Sequence, residues 1–403
     1  AAARMGAPPP MLIGTRYALE RRRGRASVPV ATALVGTVAA VTALVASVVF
    51  GASLSTLLAT PRLYGINWQV SMQNLTGFQV HSLARALNAN PTVDKVSYGV
   101  VGKLVDVNGV STPAFMTDVS KGPMAFTLVD GRYPSGDHET ALGTKTLASA
   151  HASVGSTVQV KIVTNKGHTV VRQFRVVGEV VLPPGNSPAI GVGAVLSVRA
   201  AVLALCPPTL SAARCTSQFE PLILKQATWF AVIGTVPGRR GDATVASLEA
   251  RYAPYLSEIV VPTNLVNFGQ AINFPALLGL TLALFGVATL AHLLLVSVSR
   301  RRKEVALLKV LGFVRRQVSA AVCWQATTVC LIGIVVGVPV GIIVGRSTWE
   351  LFATAVGVEP VAVVPAQQVV VVAIGAIVVG NILAVVPAAL AARLRPAEAL
   401  RAT

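Results

Sequence analysis

Few residues in this sequence have the types and spacing that catalysis needs. His138 and Glu139 are adjacent in the turn-like run DHET, where an isolated pair gives weak support for a metal site or for acid–base chemistry. The chain has no HExxH, CxxC or GxSxG pattern, and the run GTKT at 143–146 lacks the spacing of a phosphate-binding loop. We therefore expect no catalytic residue, no metal site and no cofactor in this chain.

A basic and apolar segment, RRRKEVALLKVLGFVRRQV at 300–318, is more distinctive. It predicts a short helix that contains Glu304 and Lys309 and ends at Gly312. Because Val305 to Leu308 are all apolar, the helix has apolar surface on more than one face. Such a helix fits between a membrane interface and a groove in a protein partner. The alternative is a basic loop that only connects two membrane helices.

The four cysteines fall into two pairs. Cys206 and Cys215 lie nine positions apart, with two prolines after the first of them. In an oxidising compartment this pair predicts a disulfide, and the alternative is two buried thiols. Cys323 and Cys330 lie in an uncharged apolar run, where packing is the expected role.

The elements that must position these residues follow from where charge is missing. Of 403 residues, 53% are hydrophobic and only 12% are charged, whereas soluble proteins are about 25% charged. This composition excludes an ordinary soluble enzyme and a disordered chain. Four windows have no charged residue, at 26–61, 259–299, 317–345 and 360–392. Each exceeds the roughly 20 residues that a membrane-spanning helix needs.

We therefore expect four transmembrane helices with a large α+β domain between the first and the second. Within that domain, a turn at Asn108–Gly109 and another around Thr164–Gly167 predict two hairpins, and Phe78, Leu83 and Leu87 predict a helix. The predicted order is an N-terminal segment (1–27), a first helix (28–51), the domain with stalk ends (52–274), a second helix (275–298), a short segment (299–316), a third helix (317–345), a loop (346–367), a fourth helix (368–391) and a tail (392–403).

The basic residues predict the orientation in the membrane. Of 34 Lys and Arg residues, 17 flank the predicted helices, and all of these except Arg346 lie on the side of the two termini and of segment 299–316. By the positive-inside rule, that side is cytoplasmic and the domain is extracytoplasmic, which predicts a multi-pass protein of the bacterial plasma (inner) membrane. The net charge of +18 then indicates contact with anionic membrane lipids, and nucleic-acid binding is the poorer explanation.

Small and polar residues inside the windows predict contacts between helices. His292 and Asn381 are polar residues in membrane helices, where one interhelical hydrogen bond each is the expected role. Four glycines spaced four residues apart predict a seam that lets another helix approach closely, either in the same bundle or in a second subunit. These glycines are Gly333, Gly337, Gly341 and Gly345.

Several stretches together resemble the FtsX/MacB-type ABC transporter permeases. Segment 300–318 is similar to their cytoplasmic signature, which has basic residues, Glu and then ALLxxLG. The run LVDGRYPSGDHETALG at 128–143 is similar to an element of the MacB-like extracytoplasmic domain, and VGSTVQV and FRVVGEV resemble the strands that follow it. The terminal ARLRPAEALR and the order of helices and domain also agree, so the resemblance covers nearly the whole chain.

The resemblance implies a permease subunit that is not an enzyme and works with a separate ABC ATPase, which binds ATP and Mg. It makes Glu304–Gly312 the coupling helix, with Leu307, Leu308 and Leu311 as docking contacts beside Lys309. Movement would pass along the first two helices to the domain, for export or extraction of a lipid, peptide or drug. The alternatives are an FtsX-like regulator of a cell-wall hydrolase, a ligand sensor, or a passive adhesin without an ATPase.

The N-terminal segment resembles the linker into the second half of longer, duplicated permeases of this family. The resemblance then implies that the chain pairs with an upstream four-helix half, whereas other members pair with a copy of themselves. An extracytoplasmic accessory protein is a further partner that the resemblance implies.

Overall fold

The computed structural model describes residues 8–19, 30–163, 169–183, 189–206, 210–258, 262, 265, 267, 274–300 and 302–393. They divide into two compact units. The first, which we call the helical unit, takes its residues from 1–55, 270–349 and 362–403. The second, the α+β unit, takes its residues from 56–269 and 350–361.

The helices, in chain order, are α1 (Pro9–Leu19), α2 (Val30–Ala59), α3 (Gly77–Asn88), α4 (Thr144–Ser149), α5 (Val198–Ala204), α6 (Ala212–Gln226), α7 (Arg239–Tyr252), α8 (Phe274–Arg300), α9 (Arg302–Val310), α10 (Arg315–Val356) and α11 (Ala366–Arg393). The strands are β1 (Val70–Leu75), β2 (Val93–Val107), β3 (Val110–Lys121), β4 (Thr127–Gly131), β5 (Glu139–Gly143), β6 (Thr157–Val163), β7 (Thr169–Val181), β8 (Ala194–Leu196) and β9 (Trp229–Thr235).

Among the described residues, four helices, α2, α8, α10 and α11, are long and apolar enough to cross a membrane, in agreement with the predicted number. The third is longer than predicted, because α10 has 42 residues and ends at Val356. Charge returns at Arg346, but no helix-breaking residue follows until Gly357, which has φ 90°. The connection to α11 is therefore shorter than the predicted loop 346–367.

Helix α1 lies within the predicted N-terminal segment and was not predicted as a helix. Its Gly14 and Ala18 are buried. A Cβ on Gly14 would lie 2.6 Å from the Cβ of Trp324, so α1 packs closely against the beginning of α10. A buried apolar cluster, which includes Leu294, Val322 and Ala388, then joins α8, α10 and α11.

The α+β unit contains a closed ring of six strands, in the order β2, β3, β8, β5, β7, β6 and back to β2. The β3–β8 and β5–β7 pairs are parallel, and the other neighbours in the ring are antiparallel. Ring closure depends on β2, which pairs β9 over Val93–Val100 and then β6 over Val105–Val107. The predicted α+β class with mainly antiparallel strands is consistent with this barrel, although its closure was not predicted.

Both predicted hairpins are present. Strands β2 and β3 meet at the pair Val107 and Val110, and both turn residues, Asn108 (φ 48°) and Gly109 (φ 91°), have positive φ. Strands β6 and β7 pair from Thr157 to Val163, while the turn predicted around 164–167 lies outside the described residues.

The helix predicted from Phe78, Leu83 and Leu87 is α3, which confirms that prediction. Leu83 and Leu87 are buried, whereas Phe78 is 79% exposed. Thr76 and Gln79 form a capping box that begins α3 just before Phe78, and the first turn leaves the phenyl ring at the surface.

Candidate docking surface

Helix α9 lies between two membrane-length helices, and glycine sets its end. Gly312 has φ 93°, a left-handed conformation that glycine adopts without strain. The Gly312 N–H donates to the Lys309 carbonyl at 3.1 Å, and the Phe313 N–H donates to the Leu308 carbonyl at 3.1 Å. These two bonds form a Schellman motif, which ends α9 at Val310.

One side of α9 is fixed in the core of the helical unit. Val305 and Ala306 are 4% and 0% exposed, and Val305 belongs to the cluster that joins α8, α10 and α11. Half-buried Lys309 donates from Nζ to the Ala392 carbonyl at 2.8 Å, in the last turn of α11. Burial, and secondarily the nearby Arg315, lowers the pKa of Lys309. A lysine at this position also complements the negative end of the helix dipole of α11.

The other side of α9 is apolar and exposed. Four side chains, in the second half of α9 and in the residues just after it, are 56%, 61%, 69% and 57% exposed, and we call them the α9 patch. An exposed apolar group of this kind marks an interaction surface. The exposed Arg315 and Arg316 follow directly in the chain. The α9 patch consists of Leu307, Val310, Leu311 and Val314.

The structure distributes the predicted coupling residues between the two sides of α9. Leu307 and Leu311 belong to the α9 patch, but Leu308 is half-buried, so the contact assigned to Leu308 is available only in part. Glu304 is a half-buried residue in the first turn of α9, where an acidic side chain is favourable. Val310 and Val314 were missed. Val310 lies on the same face of α9 as Leu307, whereas Val314 follows the helix, beyond Gly312.

The four glycines predicted as a seam pack α10 against α2. A Cβ on Gly337 would lie 2.9 Å from the Cβ of Val41, and a Cβ on Gly341 would lie 2.8 Å from the Cβ of Val45. Gly333 and Gly345 make the equivalent close approaches at Thr37 and Val49. The seam therefore faces a helix of the same chain.

The cysteine pair and Asn381 have the partners that were predicted, whereas His292 does not. Cys206 and Cys215 form a disulfide with a Cα–Cα distance of 6.1 Å, between α5 and α6. In the membrane-length helices, Asn381 donates from Nδ2 to the Thr327 hydroxyl at 3.0 Å, which is the interhelical bond that was expected. His292 is exposed and has no hydrogen-bond partner among the residues that the structure describes.

In the His138–Glu139 pair, Glu139 accepts hydrogen bonds from an arginine and from two backbone N–H groups. Arg132 donates to both carboxylate oxygens of Glu139, through Nη1 to Oε2 at 2.8 Å and through Nη2 to Oε1. The backbone N–H groups of Ser135 and Gly136 also donate to Glu139. The Arg132 hydrogen bonds lower the pKa of Glu139 to about 2. The Glu139 side chain thus stabilises the β4–β5 loop through its hydrogen bonds to Arg132, Ser135 and Gly136. In the described part of the chain, no cluster of three His, Cys, Asp or Glu residues could hold a metal ion.

Part of the chain matches a known protein family. Residues 276–396 match the family model described as the FtsX-like permease C-terminal domain. The match contains nearly all of α8, then α9, α10 and α11, and so includes the whole α9 patch. Helix α2 and the part of the α+β unit that precedes α8 (residues 56–269) lie outside the match. No curated protein matches the chain significantly.

Proposed function

We propose that the chain is the permease subunit of an ABC transporter, from the match of residues 276–396 to the FtsX-like permease C-terminal domain. Its partner is a separate ATPase, which binds ATP and Mg and docks on the α9 patch. The observation that carries the proposal is the position of an exposed apolar helix face inside the family match. An exposed apolar face of this kind marks a surface that contacts a protein partner or the membrane, and the family match favours the protein partner.

Docking on the α9 patch is energetically reasonable. Fully burying a Val or Leu side chain contributes about 1.5–3 kcal/mol. The four patch residues are each a little more than half exposed, so covering them contributes roughly 4–7 kcal/mol before the costs of association. The adjacent Arg315 and Arg316 favour an acidic rim on the partner.

The buried side of α9 supports transmission of movement. Because Val305 and Ala306 are buried and Lys309 is hydrogen-bonded to the end of α11, a load applied to the patch acts on the packed helices as well as on α9. ATP-driven closure of the partner would in this way move the helical unit. The α+β unit, which we propose to be a MacB-like extracytoplasmic domain, would follow and perform export or extraction.

We further propose that α9 and both chain ends face the cytoplasm of a bacterial cell. The disulfide supports this orientation, because disulfides persist in oxidising compartments and the α+β unit contains Cys206 and Cys215. Sixteen of the 17 helix-flanking basic residues favour the same orientation.

We propose that a second permease half or a second copy contacts α8. His292 is exposed in a membrane-length helix, and a polar side chain is unfavourable against lipid hydrocarbon. Ala288, one turn earlier, is also exposed and would allow close approach. An Ala288→Cys variant should cross-link to a permease half in native membranes. The control is Val371→Cys, at an exposed residue of α11. Cross-linking at position 371 but not at position 288 would contradict this.

The proposed function is tested by replacing Leu307 and Leu311 with Asp. The double variant should insert normally, because both side chains are exposed, but should co-purify at least about 30-fold less ATPase. The matched control replaces Phe78 and Leu104, exposed apolar residues of the α+β unit, with Asp. Equal ATPase recovery and stimulation in both double variants would contradict the proposal. With the complex in vesicles, transport of a labelled lipid or peptide would indicate export, and ATP-dependent activation of a hydrolase would indicate regulation.

A further inference from the structure

The end of α10 and the residues after it belong to the α+β unit. Gly357 ends the helix with φ 90°, and its N–H donates to the Ala353 carbonyl at 2.8 Å. The Gly357 carbonyl then accepts a hydrogen bond from the Thr144 hydroxyl, at 2.9 Å. Two residues later, the Glu359 N–H donates to the Leu63 carbonyl at 2.9 Å. The chain is thus bonded to the α+β unit on both sides of Val358.

The contact around Gly357 is too close for any other residue. A Cβ on Gly357 would lie 2.6 Å from the Ile190 carbonyl oxygen, and a Cβ on Gly191 would lie 2.7 Å from the Gly357 carbonyl oxygen. Both glycines also have positive φ, 90° and 72°. Val358 is 1% exposed, as is Ile190. Backbone packs directly on backbone here, which leaves little room for sliding.

An ion pair extends the same contact. Arg62 Nη2 lies 3.6 Å from Glu359 Oε2, and the Arg62 side chain is 55% exposed, so this pair contributes little by itself. The Arg62 carbonyl also accepts a hydrogen bond from the Thr127 hydroxyl at 2.7 Å, which fixes that segment to β4. The backbone contacts, more than the ion pair, therefore hold Glu359 in place.

We infer that Gly357–Glu359, which we call the α10 clamp, is a permanent mechanical connection from the third membrane helix to the α+β unit. Helix α10 is continuous from Arg315 to Val356, a length of roughly 60 Å at 1.5 Å per residue. It begins directly after the α9 patch and ends at the clamp. The part of this inference that concerns transmission of movement rests on the proposed function. The α10 clamp adds a third path for movement to the two paths, along the first two helices, that the family resemblance implied.

The clamp is tested first without any ATPase. Arg62 Nη2 lies 3.6 Å from Glu359 Oε2, and the Glu359 N–H donates to the Leu63 carbonyl, so cysteines at 62 and 359 are within reach of a short cross-linker with two thiol-reactive ends. The Arg62→Cys, Glu359→Cys double variant of the full chain in nanodiscs leaves Gly357 and Gly191 unchanged and should cross-link nearly completely. The control pairs Arg62→Cys with Gly109→Cys. Nothing lies within 4 Å of the Cβ position of Gly109, so this pair should not cross-link.

The second step asks whether the connection is permanent. In complex with the ATPase, the cross-linked double variant should keep ATPase stimulation within about twofold of the same variant before cross-linking, because the clamp never opens. The Thr144→Val variant, which removes one hydrogen bond and keeps the shape, should lose roughly fivefold in coupling. Absent cross-linking between positions 62 and 359 overturns the clamp, and loss of stimulation on cross-linking overturns its permanence. Both failures differ from failure of the proposed function, in which no ATPase binds the wild-type chain.

Discussion

The seam between α2 and α10 can be tested at one atom. A Cβ on Gly333 would lie 2.8 Å from the Cγ2 of Thr37, and no other atom lies closer than 3.6 Å. Carbon atoms pack best at about 3.5–4.0 Å. In the Gly333→Ala variant the Thr37 methyl must therefore move by roughly an ångström, or the two helices must separate.

Two estimates of the stability lost in the Gly333→Ala variant agree. Overpacking a tight contact costs about 1–3 kcal/mol. Rotation of the Thr37 side chain would relieve the contact, but it would break the bond from the Thr37 hydroxyl to the Ala33 carbonyl, 2.8 Å long, at a cost of about 1 kcal/mol. We expect the free energy of unfolding to fall by about 1–2 kcal/mol, a change of a few degrees in Tm at roughly 2–4 °C per kcal/mol.

A double-mutant cycle isolates the contact. Thr37→Ser removes the methyl and keeps the hydroxyl, so in that background Gly333→Ala should cost almost nothing, which gives a coupling energy of about 1 kcal/mol. The control is Gly375→Ala in α11, where nothing lies within 4 Å of the Cβ position. Unfolding in detergent, followed by tryptophan fluorescence, measures all four variants. Equal effects at Gly333 and Gly375, or no relief from Thr37→Ser, would refute the packing described here.

Two further substitutions test the site and the α+β unit. Lys309→Met removes the hydrogen bond to the Ala392 carbonyl but leaves the α9 patch intact. The affinity of the chain for the ATPase should therefore stay the same, while stimulation of ATP hydrolysis should fall about threefold to tenfold. A fall in affinity without a fall in stimulation would contradict this. Because hydrogen bonds from Arg132 lower the pKa of Glu139 to about 2, ionised Glu139 stabilises the fold fully above its ordinary pKa of 4.5, and this contribution is lost as the pH falls toward 2. The stability difference between wild type and Glu139→Gln should shrink over that range in acid unfolding followed by circular dichroism, and a difference independent of pH would rule this out.

The membrane helices and the hairpins could be predicted from the sequence because their signals are local. Uncharged windows predicted α2, α8, α10 and α11, and the Asn108–Gly109 pair predicted the β2–β3 turn. The end of α10 could not be placed in the same way. Arg346 ends the apolar window, but a helix continues until a residue breaks it, which here is Gly357. Ring closure depends on which strand pairs the second half of β2, and this long-range choice has no local signal.

The candidate site was predictable in position but only partly in detail. The segment 300–316 was identified from its charges and apolar run, and Gly312 from its place at the end of that run. Which leucine faces outward depends on tertiary packing. Leu308 is half-buried and Lys309 is hydrogen-bonded to α11 because the helix rotates Val305 and Ala306 into the core. The contact of Gly357 with Gly191 joins residues 166 positions apart, and neither glycine stands out in the sequence.

The central claim is that the α9 patch receives an ABC ATPase. It is tested most directly by a photoreactive amino acid at Leu311, 69% exposed, with one at Phe78, 79% exposed, as the control. In native membranes, the probe at 311 should capture a protein that has a phosphate-binding loop. The ATPase activity of that protein should rise when the purified wild-type chain is added. The probe at 78 should not capture this protein. Capture of lipid alone at 311, or capture of the same ATPase at 78, would contradict the claim.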